Sequence, residues 1–431
     1  MLYYSTNHTS PHVNFKEAAI KGLAPDKGLY FPERIPVLPT DFLTNLNAYT
    51  KQEIALTVIA PFVGEVIPKS ELERIVAETV SFDFPLVKID SNISTLELFH
   101  GPTLAFKDVG ARFMSRCLGY FLKNEKQAVT VLVATSGDTG GAVANGFYGV
   151  AGVKVVILYP SGKVSPVQEL QLTTLGKNIS ALEVEGSFDD CQDMVKKAFA
   201  DIDLQKKLFM TSANSINVAR WLPQQFYYFF AYQQWKEDRM PVVSVPSGNF
   251  GNISAGLLAY KSGLPIKHFI AACNANDVVP SYMDTGEYIT RKSVSTLSNA
   301  MDVGDPSNFV RIREMFAGQP LLLHDMLSAY SISDAETIAT IRKVHQETNY
   351  TLDPHGAVGY AALEKYLMNK PKQKGVFLET AHPVKFFDVI EETLKEAVSM
   401  PEGVLELSKR PKQSVRMGND FLLLKDFLLS K

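Results

Sequence analysis

Short apolar runs recur through the middle of the chain, separated by stretches whose apolar residues fall every third or fourth position. Val129 to Ala134, Lys154 to Tyr159 and Ile179 to Glu185 are three such runs. Val242 to Val245, Phe269 to Cys273 and Gly375 to Leu378 continue the series. Runs this short and this apolar predict strands buried on both faces. Helical patterns lie between them. Ser165-Pro166-Val167-Gln168 opens one, with serine as N-cap, proline at the first helical position and glutamine placed for a capping box. Phe188 to Asp201 predicts a second helix, and Asn217 to Trp235 a third. Strand and helix in alternation predict an α/β protein with a mostly parallel sheet and helices on both faces.

The first 95 residues read differently. Thr40 to Glu78 is mainly helical in pattern, and Pro25 to Pro39 carries four prolines around the turn Gly28-Leu29-Tyr30-Phe31-Pro32. This part predicts a helical cover packed on the sheet domains. Residues 276 to 345 have no clear strand series and predict a helical insertion.

Composition narrows the function classes. At 431 residues the chain can build two or three units with large cores. A net charge of -3 gives no reason to expect nucleic acid or an anionic membrane as partner. No apolar run approaches the roughly 20 residues that a membrane span needs. The start of the chain has no basic region followed by an apolar core, so a secretory signal is not expected. Cys117, Cys191 and Cys273 are far apart and lack metal-ligand spacing. Each is expected to be a small buried thiol, no metal is expected, and a reducing, cytoplasmic setting fits.

Two glycine-rich loops each follow an apolar run and precede a helical pattern: Ser136-Gly137-Asp138-Thr139-Gly140-Gly141 and Ser247-Gly248-Asn249-Phe250-Gly251-Asn252. Such a turn can point backbone N–H groups into one concavity, and the next helix adds its positive end, so an anion is favoured there. An ordinary strand-to-helix turn looks the same at this level. Neither loop is a dinucleotide or Walker-type motif. Lys107 follows Leu104, Ala105 and Phe106. Desolvation would lower its pKa and make a nucleophilic amine. A helix-start lysine paired with Asp108 is the commoner arrangement for such a residue taken alone. Asn214, Ser215 and Arg220 sit at the start of a helical pattern, where they could bind an oxyanion, or cap the helix and face solvent. Thr380 follows the last apolar run and could hydrogen-bond a ring nitrogen or cap a turn. His382 is either a proton-transfer group or structural, and the residues leave that open. An amine and an anion cradle together are the two needs of a pyridoxal-phosphate enzyme.

Taken together and in order, these segments resemble the threonine synthase family, within the tryptophan-synthase-β superfamily of pyridoxal-phosphate enzymes. The N-terminal stretches Tyr4-Ser5-Thr6, Phe15 to Ile20 and Gly22 to Pro32 are similar to that family's signature. Phe99 to Asp108 resembles its lysine motif, the two glycine loops resemble its loops, and Thr380 to Phe386 resembles its C-terminal motif. Val384 stands where alanine is common in the family.

The resemblance implies two doubly wound, mostly parallel-sheet domains with an N-terminal cover and a helical insertion. It suggests division into 1–95, a smaller domain 96–212 and a larger domain 213–431. It implies pyridoxal 5'-phosphate as cofactor, joined to Lys107, which later moves protons. Gly248, Asn249, Phe250, Gly251 and Asn252 would cradle the cofactor phosphate. Asp138 would lie by the phenolic oxygen, where many relatives use asparagine, and Thr380 would meet the pyridine nitrogen. Ser136, Thr139, Asn214, Ser215 and Arg220 would line the substrate side. The family converts O-phospho-L-homoserine and water into L-threonine and phosphate. A serine or threonine dehydratase, a β-replacement enzyme, or a silent binding protein of this family would share Lys107 and the glycine loop. The analogy favours a monomer, with a dimer as the alternative.

Overall fold

The computed structural model describes residues 1–123, 125 and 127–430. The chain forms two compact units. The first contains Met1, Pro32–Phe106 and Trp221–Ser399. The second contains Leu2–Phe31, Lys107–Arg220 and Met400–Lys431. These boundaries differ from the expected division after residues 95 and 212. The expected N-terminal cover is split, since its first strands join the second unit while its helices Lys51–Val63 and Lys69–Thr79 join the first. The C-terminal residues return to the second unit, where the strand Ser414–Gly418 pairs in parallel with Ile179–Glu185.

The first unit holds a six-stranded sheet in the order Leu327–Ser331, His268–Cys273, Val242–Pro246, Gly375–Glu379, Ile93–Glu97, Leu86–Lys88. All neighbours are parallel except the last pair. The segment 276–345 is therefore not wholly helical, because it supplies the edge strand Leu327–Ser331. The helix Pro354–Leu367 lays Ala357, Val358, Ala361 and Leu363 into a core with Val242, Ile270 and Phe377. Each fully buried large apolar side chain there contributes about 1.5–3 kcal/mol, which makes this packing the main support of the sheet.

The second unit holds a five-stranded, all-parallel sheet in the order Ser414–Gly418, Ile179–Glu185, Val153–Pro160, Val129–Ala134, Phe209–Ser212. Its core joins Leu132, Leu158 and Leu182 to Met194 and Ala198 of the helix Phe188–Ala200, and to Leu424 and Leu428 of the helix Phe421–Leu429. The expected capping box at Ser165 is present, with Gln168 N–H donating to Ser165 Oγ at 3.3 Å and Ser165 N–H to Gln168 Oε1 at 3.0 Å. The single helix expected over Asn217 to Trp235 is instead broken into Val218–Trp221, a 3-10 turn Leu222–Gln225, and Phe226–Gln234. Pro223 has no N–H to give to the Ala219 carbonyl, so the ladder stops there.

Strand order reverses once in each sheet. In the first unit this happens between Val242–Pro246 and Gly375–Glu379, and in the second between Val129–Ala134 and Phe209–Ser212. The loops beyond the carboxyl ends of such a strand pair diverge to opposite faces and leave a crevice, the usual ligand position in open α/β sheets. Among the described residues, no helix is long and apolar enough to cross a membrane.

Candidate active site

In the first unit, the strand Val242–Pro246 runs into Ser247-Gly248-Asn249-Phe250 and then the helix Gly251–Lys261. Ser247 N–H donates to Ala272 O at 2.8 Å, which anchors the loop to the next strand. Gly248 has no room for a side chain, since a Cβ would lie 2.7 Å from Met301 Cα. Phe250 adopts a left-handed φ of 60°, a conformation that costs a non-glycine residue energy and needs support. Asn252 is buried in the first helical turn. The Tyr228 hydroxyl sits 2.9 Å from both Asn252 O and Oδ1; burial holds its pKa well above the usual range, so it keeps its single proton, which the two oxygens share. That orientation leaves Asn252 Nδ2 as a buried donor without an acceptor among the described residues. A buried spare donor at a helix N-terminus is what an anion would satisfy.

Thr380 ends the neighbouring strand Gly375–Glu379 and is buried. Its carbonyl accepts the Phe106 N–H at 2.9 Å, and the Leu104 carbonyl accepts the His382 N–H at 3.0 Å. Lys385 Nζ, itself buried, donates to Thr103 O at 2.9 Å. The segment leading to Lys107 is thus pinned along Thr380–His382. Lys107 follows Phe106 directly, is partly buried, and opens the helix Lys107–Leu122. His382 Nδ1 accepts the Val384 N–H at 3.1 Å and caps the turn Pro383–Phe386. Burial lowers its pKa, and the Phe99 ring meets it edge-on at 5.1 Å. Of the two readings left open for His382, its hydrogen bond favours the structural one.

Beneath Thr380 lies a polar cluster that the sequence reading missed. Glu379, Asp353 and His355 are all buried. Asp353 N–H donates to Glu379 Oε1 at 2.7 Å, and the backbone N–H and Nδ1 of His355 both lie 2.6 Å from Asp353 Oδ1. Ala300 N–H donates to His355 Nε2 at 3.2 Å, so the ring proton belongs on Nδ1, facing Asp353. Burial first, and then the charge of Asp353, hold the Glu379 carboxyl well above the usual carboxylate range. As bare acceptors, Glu379 Oε2 and Asp353 Oδ2 both lack partners among the described residues. A proton on Glu379 removes that repulsion. The only hint in the sequence was Asp353-Pro354-His355-Gly356, polar residues at the start of an otherwise apolar helix.

In the second unit, Val129–Ala134 ends in Thr135, whose Oγ1 accepts Gly137 N–H at 3.0 Å and Gly140 N–H at 2.8 Å. Gly137 has a φ of 136°, and a Cβ there would fall 2.3 Å from the Gln168 carboxamide. Asp138 is buried and starts the helix Asp138–Phe147, and its Oδ1 accepts Gln168 Nε2 at 2.9 Å. Gln168, recognised from sequence only as a cap, therefore also fixes Asp138. Ser136 and Thr139 are half-buried beside it.

The adjacent strand Phe209–Ser212 leads to Asn214 and Ser215, both half-buried. Asn214 Oδ1 is buried with no partner among the described residues. In the following turn Asn217 Oδ1 accepts Ala219 N–H at 2.9 Å. Arg220 is 3% exposed and is no surface residue. Its Nη1 donates to Ala213 O at 2.5 Å. It packs on Gly110, one turn into the helix that Lys107 opens, where a Cβ would lie 2.7 Å from Arg220 O. Within this unit the structure brings together Arg220, the Asn214 turn and the first turn of the Lys107 helix.

The family described as "Pyridoxal-phosphate dependent enzyme" matches residues 90–378. "Threonine synthase N terminus" matches 2–80, and "Threonine synthase, C-terminal" matches 356–428. The threonine synthase of Haemophilus influenzae is 44% identical over the full length of both chains. The crystal structure of the Escherichia coli threonine synthase superposes with a TM-score of 0.94 at 41% identity over all of both chains. A structure described as PLP-bound threonine synthase from Brucella melitensis gives a TM-score of 0.92 at 36% identity, covering 99% of this chain and 98% of that one. The chain belongs to the threonine synthase family of pyridoxal-phosphate-dependent enzymes.

Proposed function

We propose that the enzyme converts O-phospho-L-homoserine and water into L-threonine and phosphate, with each sheet's switch point serving one part of the reaction. The observation that carries the reading is that each switch point holds a buried side-chain atom without a partner among the described residues, Asn252 Nδ2 at one and Asn214 Oδ1 at the other. Both belong to loops of the kind that hold polar ligands, and a reaction with a phosphorylated cofactor and a phosphorylated substrate needs two such places.

In this reading Gly248, Asn249, Phe250, Gly251 and Asn252 hold the cofactor phosphate through backbone N–H groups and the Asn252 amide. Thr380 would meet the pyridine nitrogen with a hydroxyl, which brings no charge to protonate that nitrogen. Asp138, oriented by Gln168, would lie by the phenolic oxygen. Pyridoxal phosphate, when bound at this site, would supply the electron sink that acidifies the substrate's Cα and Cβ hydrogens. The Lys107 amine carries protons to and from the substrate carbons. Asn214, Ser215 and Arg220 hold the substrate phosphate, with the Arg220 guanidinium suited to two parallel contacts. Ser136 and Thr139 line the same substrate. Cβ gives up a proton, the Cγ–O bond breaks and phosphate leaves with the electron pair. Cγ gains a proton, the hydroxyl from water bonds to Cβ, and water's other proton goes to the phosphate. The same reading takes the enzyme to be a cytoplasmic monomer.

The test is turnover of O-phospho-L-homoserine in ¹⁸O-labelled water. The expected products are L-threonine and phosphate in equal amounts, with the label in the threonine hydroxyl and none in the phosphate. Label in the phosphate would mean cleavage at phosphorus, as a phosphatase would do, and would refute the reading. Release of ammonia from serine or threonine, without turnover of the phosphorylated substrate, would put a dehydratase in its place.

A further inference from the structure

The segment 299–311 wraps the Ser247–Asn252 loop, and one buried arginine governs how it does so. Asn249 is held from three directions. Its carbonyl accepts the Asn308 N–H at 3.2 Å and Asn308 Nδ2 at 3.0 Å, and its Oδ1 accepts the Ser307 N–H at 3.2 Å. The Phe309 ring stands edge-on to Phe250 at 5.7 Å, beside the left-handed residue that most needs support. Pinning the Asn249 carbonyl has a direct consequence. The peptide unit is planar and trans, so the Phe250 N–H must point to the opposite side, away from Asn308.

We propose that Arg311 is a positioning residue for the cofactor-phosphate loop, acting through Asn308; the proposal rests on the reading of that loop given above. The amide of Asn308 could face either way by shape alone. Arg311 Nη1 donates to Asn308 Oδ1 at 2.6 Å. A guanidinium has donors and no acceptor, so the amide oxygen must face Arg311 and the amide nitrogen must face Asn249. Both residues are completely buried, so bulk solvent does not compensate the flipped amide. Arg311 in turn is seated with its guanidinium carbon 4.2 Å from the Trp221 ring centre. Trp221 Nε1 donates to Ser254 Oγ at 2.8 Å, and Ser254 Oγ donates to Gly251 O at 2.9 Å. The platform under Arg311 is thus tied to the same loop at its helix end. Two separate paths from one side chain end on Asn249 and on Gly251, which bracket Phe250. This gives the segment read from sequence as an insertion a definite task.

The test compares pyridoxal phosphate with pyridoxal, which lacks the phosphate, in titrations of the apoenzyme. Wild type, Arg311→Gln and Asn308→Asp are measured. Asn308→Asp keeps an acceptor for Arg311 and removes the donor to Asn249. Each variant should weaken pyridoxal phosphate binding about 5- to 100-fold while leaving pyridoxal binding within about twofold, as loss of one or two loop hydrogen bonds implies. Arg311→Lys should not restore the ratio, because an ammonium can neither stack flat on Trp221 nor hold the amide in plane. A purely structural arginine would weaken both ligands alike or neither, and an unchanged ratio in the folded variants overturns the proposal. Should Arg311→Gln fail to fold, Asn308→Asp alone decides by the same ratio. Equal binding of the two ligands by wild type would overturn the phosphate-loop reading itself, and the proposal with it.

Discussion

Replacing Glu379 by glutamine should change how stability depends on pH, and the sign follows from the buried cluster. In the folded state burial and the neighbouring Asp353 charge raise the Glu379 pKa well above that of an ordinary carboxyl group. In the unfolded chain a glutamate loses its proton above about pH 4.3. Between that value and the raised folded pKa, the native state holds one proton more than the unfolded state. The unfolding free energy therefore falls by about 1.4 kcal/mol for each pH unit gained through this residue. The stability it contributes is fully present below the unfolded pKa and is lost as pH rises toward the folded one. Glutamine is close in shape, can still accept the Asp353 N–H, and does not titrate. The advantage of Glu379→Gln over wild type should therefore grow by about 1.4 kcal/mol per pH unit from about pH 5 upward, and level off once the pH passes the raised folded pKa. Paired denaturant titrations of the apoproteins at several pH values measure it, since contributions from groups that do not interact with Glu379 cancel in the difference. Difference infrared spectra should also show a protonated-carboxyl stretch that the variant lacks. Parallel pH curves would mean that Glu379 is ionised in the fold, and the account of the cluster would be wrong.

Gly356→Ala, which in an exposed helix would gain about 1 kcal/mol, should instead lose about 2–3 kcal/mol. The added Cβ would fall 1.6 Å from Glu379 Oε2, and denaturant unfolding would read the loss. Arg220→Lys keeps a charge but loses the fork, so kcat/KM for O-phospho-L-homoserine should drop about 30-fold or more while the apoenzyme keeps its affinity for pyridoxal phosphate. Loss of the cofactor instead would mean that the two phosphate sites are interchanged.

Much of the fold was legible because central strands of parallel sheets are apolar on both faces. Val129–Ala134 and Val242–Pro246 announce themselves in this way. The strands that escaped notice lack that signature. Ile93–Glu97 contains serine, threonine and glutamate, and Ser414–Gly418 is an edge strand with little burial. Unit boundaries were not legible, because the chain crosses between the units five times and no linker composition marks the crossings. Lys107, both glycine loops and Thr380 stood out by motif and position. Asp353, His355, Glu379 and Arg311 did not. A buried polar residue is explained by its partners, and those partners lie far away in sequence: Glu379 is 26 residues from Asp353, and Asn308 is 59 from Asn249.

The central claim is that Lys107 bears the cofactor. Borohydride treatment of the purified holoenzyme, followed by proteolysis and mass analysis, tests it most directly. The account predicts a pyridoxyl-phosphate adduct on the peptide containing Lys107 and none on Lys107→Ala, which should not turn over substrate. An adduct on any other lysine, or full turnover by Lys107→Ala, would contradict it.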